Sequence, residues 1–110
     1  MEPIPKPEKA AIAIYENLAD SLEEKLGTER SKMFGILCLK VRKKAFCGLF
    51  GNDMVFKLTG DEHKEALTLN GAKLFDPSGM NQPMKEWVQV PFVHKRKWEN
   101  LAIEALKYVG

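Results

Sequence analysis

Cys38 and Cys47 are the two cysteines of this 110-residue chain, and His63 and His94 its two histidines. Zinc sites bring their ligands in close sequence pairs, whereas gaps of 8, 15 and 30 residues separate these four. The absence of a Cys-x-x-Cys excludes the usual spacing of a zinc knuckle or a thioredoxin-type motif. A redox disulfide is open to Cys38 and Cys47 if they oppose each other on neighbouring strands, where Cα atoms approach the required separation of about 4.4–6.8 Å. The plainer reading is two small buried apolar residues, since free cysteine is among the most buried residue types. A Cys–His nucleophile needs its base within hydrogen-bond reach and a third group to orient it, and nothing in the spacing requires that. Ser21, Ser31 and Ser78 lack a nucleophile elbow, and Gly35, Gly48 and Gly51 compose no phosphate loop. The expectation is a non-enzymatic protein without catalytic, metal or cofactor residues.

Charge offers a second chemistry. Seventeen Lys/Arg against 15 Asp/Glu give +2, too even a balance to imply a polyanionic partner. Residues 1–30 hold 4 basic and 7 acidic side chains, and residues 31–110 hold 13 and 8. Two clusters dominate the basic part: Lys40, Arg42, Lys43 and Lys44, then Lys95, Arg96 and Lys97. Such clusters can contact phosphates. Trp87, Phe92 and Trp98 interleave with Lys85 and the second cluster, as nucleobase-stacking surfaces require. The competing reading is a solvated turn and the first turn of a helix. There, three cations oppose the helix dipole unless an anionic partner or acidic neighbours compensate. Direct nucleic-acid contact through these seven residues is one alternative function, and a small thiol-redox protein using Cys38 and Cys47 is the other.

The elements that would position these groups follow from periodicity. The composition is 45% hydrophobic and 29% charged, as in soluble globular domains, and no apolar run approaches the ~18 residues of a membrane span. No signal-peptide core is evident near the first residues, so a cytoplasmic location with reduced thiols is expected. Pro3, Pro5 and Pro7 make residues 1–6 an extended, frayed tail ahead of one domain over 7–110, with Pro7 in the first helical turn. Ala11, Ile14, Tyr15, Leu18, Leu22 and Leu26 predict a helix ended by Gly27. Met33–Val41, Lys44–Phe50 and Met54–Leu58 predict a three-stranded antiparallel meander. A short helix over 61–67, strands at 73–75 and 86–90, and a final helix from about Lys95 complete the order α-β-β-β-α-β-β-α, an α+β fold. The segment Asp76–Pro83, with two prolines and a glycine, reads as a shaped loop.

Register carries a consequence. With Arg42-Lys43 as a two-residue turn, Val41 pairs with Lys44 and Cys38 lies opposite Cys47. One face then holds Ile36, Cys38, Ala45, Cys47 and Leu49, and the other Leu37, Leu39, Val41, Phe46 and Phe50. Both are apolar. A sheet wetted on one side alternates apolar with polar residues, so any face the helices leave bare is available to a second subunit or partner.

Met33-Phe34-Gly35 at a strand opening, Lys44-Ala45-Phe46 at the next, and Met54-Val55-Phe56-Lys57-Leu58 after a Gly-Asn-Asp turn form an ordered set. It continues with Gly71-Ala72-Lys73-Leu74-Phe75-Asp76-Pro77, Gly79-Met80 and the run from Pro83-Met84-Lys85-Glu86-Trp87 to Val90-Pro91. Over Lys32 to Val109 the succession resembles the N-terminal domain of the TfoX/Sxy family, bacterial regulators of natural competence. The resemblance implies an α+β domain similar to YjbR-like proteins, with no known catalytic activity, acting by protein–protein contact or self-association in transcriptional regulation. Full-length regulators work with a cyclic-AMP-responsive transcription factor and carry a second, helical domain to which nothing in these 110 residues corresponds. Met33, Phe34, Gly35, Pro83 and Pro91 fit the family pattern and are expected to be architectural. Arg42-Lys43-Lys44 stands where the family has an Asp-Gly-Lys type of turn.

Overall fold

A computed structural model describes residues 4–110 of the chain. The expected tail falls partly on residues 1–3, which lie outside the described residues. Helix α1 (Lys9–Leu26) buries Ala11, Tyr15, Leu18 and Leu22 along one stripe, at steps of three and four. Glu8 is its extended N-cap, so Pro7 stands before the helix rather than in its first turn. Gly27 ends the helix at φ 67°, its N–H bonded to the Glu23 carbonyl.

Six antiparallel strands follow: β1 (Glu29–Met33), β2 (Ile36–Val41), β3 (Lys44–Phe50), β4 (Asp53–Lys57), β5 (Lys73–Phe75) and β6 (Met84–Val90). They form one sheet in the order β1-β2-β3-β4-β6-β5. Helix α2 (Gly60–Leu67) connects β4 to β5, and a 3-10 turn (Phe92–His94) leads from β6 into α3 (Lys95–Val109). The fold is α+β.

The opening of the sheet corrects the expected order, because four strands rather than three precede α2. Met33-Phe34-Gly35 does not open a strand. Phe34 at φ 49° and Gly35 at φ 82° make a two-residue hairpin turn that splits the expected strand and pairs Met33 with Ile36. Strand β1 is Glu-Arg-Ser-Lys-Met, an edge strand whose charges guard the sheet's open side and whose pattern gives no apolar signal. Arg30 is its tie to the helical layer. Its guanidinium bonds Glu16, Asp20 and Glu23, which stand one turn apart along α1.

The second correction concerns register. Val41 pairs with Lys44 and Lys40 with Ala45, as a tight Arg42-Lys43 turn requires, but a bulge then shifts the ladder. Beyond it Leu39 pairs with Cys47, Cys38 with Gly48 and Leu37 with Leu49. One extra residue on β3 flips every later side chain to the opposite face. Cys47 and Leu49 move to the side of Leu39, Phe50 moves to the other side, and Cys38 no longer opposes Cys47.

The two faces then differ in cover. Every buried residue of α1, α2 and α3 belongs to one core, with Leu39, Phe46, Cys47, Leu49, Met54, Phe56, Val88 and Val90 beneath them. The opposite face has its own cluster of Ile36, Val55, Phe75 and Trp87, flanked by Met33, Ala45, Phe50 and Met84, all from strands. Among the described residues, helices cover one face only.

Candidate functional site

The helix-free face carries an open apolar cavity. Ile4, Phe34, Ile36, Phe50, Phe75 and Pro77 line a cavity of about 360 Å³ on it. Its floor is stiff: Phe50 and Phe75 meet edge to face with ring centroids 5.0 Å apart. Its rim is open, for Phe34 is 62% exposed and Met80, on the neighbouring loop, 64%. A second cavity of about 510 Å³ adjoins it through Phe50 and Pro77 and is polar, with Lys73, Asp76, Asn81 and Gln89 around it. Gln89 is nearly buried there and donates from Nε2 to Asp53 Oδ2 at 2.8 Å.

Three pieces of chain shape this cleft. The first is the Phe34-Gly35 turn, which holds a bulky aromatic in left-handed backbone, a rare and strained state for such a residue. The second is the loop from Asp76 to Gln82. Asp76 Oδ1 accepts from the Ser78 hydroxyl at 2.6 Å and the Ser78 N–H at 3.1 Å, while Oδ2 accepts from the Gln82 N–H at 3.0 Å. Ser78 Oγ in turn accepts from the Met80 N–H. The Ser78 hydroxyl first, then the backbone amides of Gln82, Ser78 and Gly79, hold the Asp76 carboxyl below the ordinary aspartate range. The third piece is the leading segment. Ile4–Pro7 has no regular structure but lies against the sheet, with Ile4 over Gly35 and Pro5 over Gly51. It rounds the end of the sheet where the Glu8 N–H donates to Asn52 Oδ1 at 2.8 Å and Asn52 Nδ2 returns a bond to Glu8 Oε1.

The residues expected to carry chemistry sit elsewhere. Cys38 and Cys47 are both free and fully buried, and strand alternation sends them to opposite faces. The register on which their disulfide depended is absent. Burial pushes both thiols above their usual range, Cys47 furthest, away from the thiolate that redox exchange needs. Beside them, the buried Tyr15 hydroxyl donates to the Cys38 carbonyl at 3.1 Å, next to the bulge. His63 and His94 each place Nε2 on a backbone carbonyl, Lys85 at 2.8 Å and Asn70 at 2.9 Å. Among the described residues no cluster of His, Cys, Asp and Glu could hold a metal ion.

The two basic clusters do not converge. Arg42 and Lys43, at φ 51° and 68°, form the β2–β3 turn, with Lys40 and Lys44 on the strands beside it. Gly110, at the far end of α3, sits against Val41 next to that turn, whereas Lys95, Arg96 and Lys97 are the first turn of the same helix. Fifteen helical residues separate the two ends, roughly 22 Å at 1.5 Å per residue. The aromatic residues between the bases are also withdrawn. Trp98 is core, Trp87 is buried in the sheet, and Phe92 is occupied by Trp98 at its edge and the Lys95 ammonium 4.6 Å above its ring.

No family model, curated protein or solved structure matches this chain. The family-pattern residues divide by place: Met33 ends β1, Pro83 precedes β6, and Pro91 lies against Gly71 at the end of β6. Phe34 and Gly35 stand at the rim of the apolar cavity. Sequence reasoning missed Ile4, Phe50 and Phe75 as its walls, and the bulge is the reason for Phe50. Gly48 inside a strand was the available signal: a Cβ there would lie 3.1 Å from the Leu37 carbonyl oxygen and 3.2 Å from Ile36 Cδ1.

Proposed function

We propose that this protein is a non-enzymatic, cytoplasmic interaction module, of the kind the TfoX/Sxy resemblance implies, that binds a protein partner through the helix-free face of its sheet. A part in transcriptional regulation belongs to the same proposal. The observation that carries it is Phe34. A residue kept for architecture is buried and relaxed, yet this one is 62% exposed on the cavity rim and held at φ 49°. Neither feature helps the fold, and strained backbone collects where a chain uses it. Contact through both basic clusters at once would need a nucleic acid that follows the length of α3, and neither tryptophan is free to stack on bases. Among the described residues no helix is long and apolar enough to cross a membrane.

The test pairs a hydrophobic-dye titration with light scattering after size exclusion, on the parent and on Phe34→Asn. The expected result is dye bound by the native parent and several-fold less by the variant, at a mass indifferent to salt. A high-micromolar monomer that binds no dye would remove the proposal.

A further inference from the structure

The residues that lie at the cleft's edge belong to the chain's own leading segment, and their chemistry indicates what the cleft accepts. Ile4-Pro5-Lys6-Pro7 has no regular structure and holds two prolines, each of which biases the residue before it towards extended backbone. Proline has no N–H to add to a strand ladder, so such a segment binds through its side chains, as polyproline-type segments do on aromatic grooves. Two turn glycines receive it. A Cβ on Gly35 would meet Ile4 Cδ1 at 2.8 Å, and one on Gly51 would meet the Pro5 ring at 3.1 and 3.2 Å. Both glycines have positive φ, at 82° and 60°, so backbone conformation and close approach reserve both positions for glycine.

Among the described residues the seat is only partly taken. Ile4 keeps 37% of its surface exposed, and about 360 Å³ stays open between it and the rings of Phe34, Phe50 and Phe75. Beyond Pro5 the cleft turns polar at Lys73, Asp76 and Gln89, groups able to hold the backbone and charged side chains of an extended ligand. We propose that the cleft is a docking groove for an extended, proline-bearing peptide segment of a partner, and that Ile4–Pro7 is its resident competitor. The proposal rests on the helix-free face being the contact surface and names what it contacts. The bonds between Glu8 and Asn52 tether the competitor at the end of the sheet, so the segment can leave the groove without unwinding α1.

The test is amide NMR on the full chain, titrated with the synthetic peptide Ile-Pro-Lys-Pro-Glu-Lys and, as control, Ile-Ala-Lys-Ala-Glu-Lys. It is run on the parent and on the double variant Ile4→Ser/Pro5→Ser, which keeps the Glu8–Asn52 tether. The expected result is movement of the Gly35, Phe50, Gly51 and Phe75 amides by the proline peptide. Its affinity for the variant should be about tenfold higher than for the parent, because a competing conformer lowers apparent affinity by the fraction it occupies. The alanine peptide should bind more weakly. Equal affinity for parent and variant would overturn the competitor. A hydrophobic dye bound at Phe34 with no peptide shift on either chain would overturn the peptide class and leave the docking face standing. A variant that dimerises instead would give the groove to a second copy. Silence towards both dye and peptide would remove the face itself.

Discussion

Replacing Phe34 by asparagine separates use from architecture, because the two assign opposite signs to the change in stability. Phe34 is the first residue of a two-residue turn whose second is Gly35, with φ 49° and 82°, the geometry that Asn-Gly fills best. Holding an ordinary L-residue in left-handed backbone costs about 1–2 kcal/mol, a cost asparagine largely escapes. Against this stands the lost burial. With 62% of Phe34 exposed, about two-fifths of the roughly 1.5–3 kcal/mol for burying such a side chain is at stake, near 1 kcal/mol. The balance runs from neutrality to about 1 kcal/mol of stabilisation, a rise in Tm of at most about 4–8 °C. An architectural phenylalanine would instead lose about 3–5 kcal/mol on truncation. Urea and thermal unfolding, run beside the dye titration, decide between them. A loss of about 2 kcal/mol or more, or dye binding that the substitution leaves unchanged, refutes the reasoning.

Tyr15→Phe removes the buried hydroxyl that donates to the Cys38 carbonyl and should destabilise by about 1–3 kcal/mol, read as a lower urea midpoint at unchanged slope. Thiol titration should find Cys38 and Cys47 slow in the native state and fast after unfolding. Their native reactivity should rise only at alkaline pH beyond the usual thiol range, since burial raises both; a fast native thiol or a disulfide after mild oxidation contradicts this. The Asp76 carboxyl titrates lower in the fold than in the unfolded chain. Its support for the loop is therefore complete above the ordinary aspartate value of 3.8 and is lost as pH falls through the depressed folded value. Hydrogen exchange at the Ser78 and Gln82 amides should accelerate in that acid window, and Asp76→Ala should show the same acceleration at neutral pH.

Apolar period made most of the fold legible. The stripe from Ala11 to Leu22 and the stop at Gly27 define α1, Lys73–Phe75 is β5, and Trp98, Ala102 and Ala105 are the buried stripe of α3. Strand β1 was hidden because Glu29–Lys32 carries no apolar alternation. An edge strand paired on one side is held by its ladder to β2 and by Arg30 against α1, and neither appears in a hydropathy pattern. The apolar character of both sheet faces was legible, and with it the prospect of a bare patch. Which residues line the patch was not. The bulge in β3 adds one residue and reverses every position after Phe46, and only Gly48 hints at it. Ile4 was equally hidden, since a proline-rich start reads as tail until its contacts with Gly35 and Gly51 are known.

The most direct test of the contact surface is residue-resolved. Amide NMR spectra of the parent would be recorded with a hydrophobic dye and, separately, with a mixed-sequence DNA duplex at low and high salt. Use of the helix-free face predicts dye shifts confined to Phe34–Ile36, Phe50–Gly51 and Phe75–Ser78, and none with DNA. Shifts at Lys40–Lys44 and Lys95–Lys97 that appear with DNA at low salt, with the cleft silent towards dye, would contradict it and assign the surface to the basic clusters.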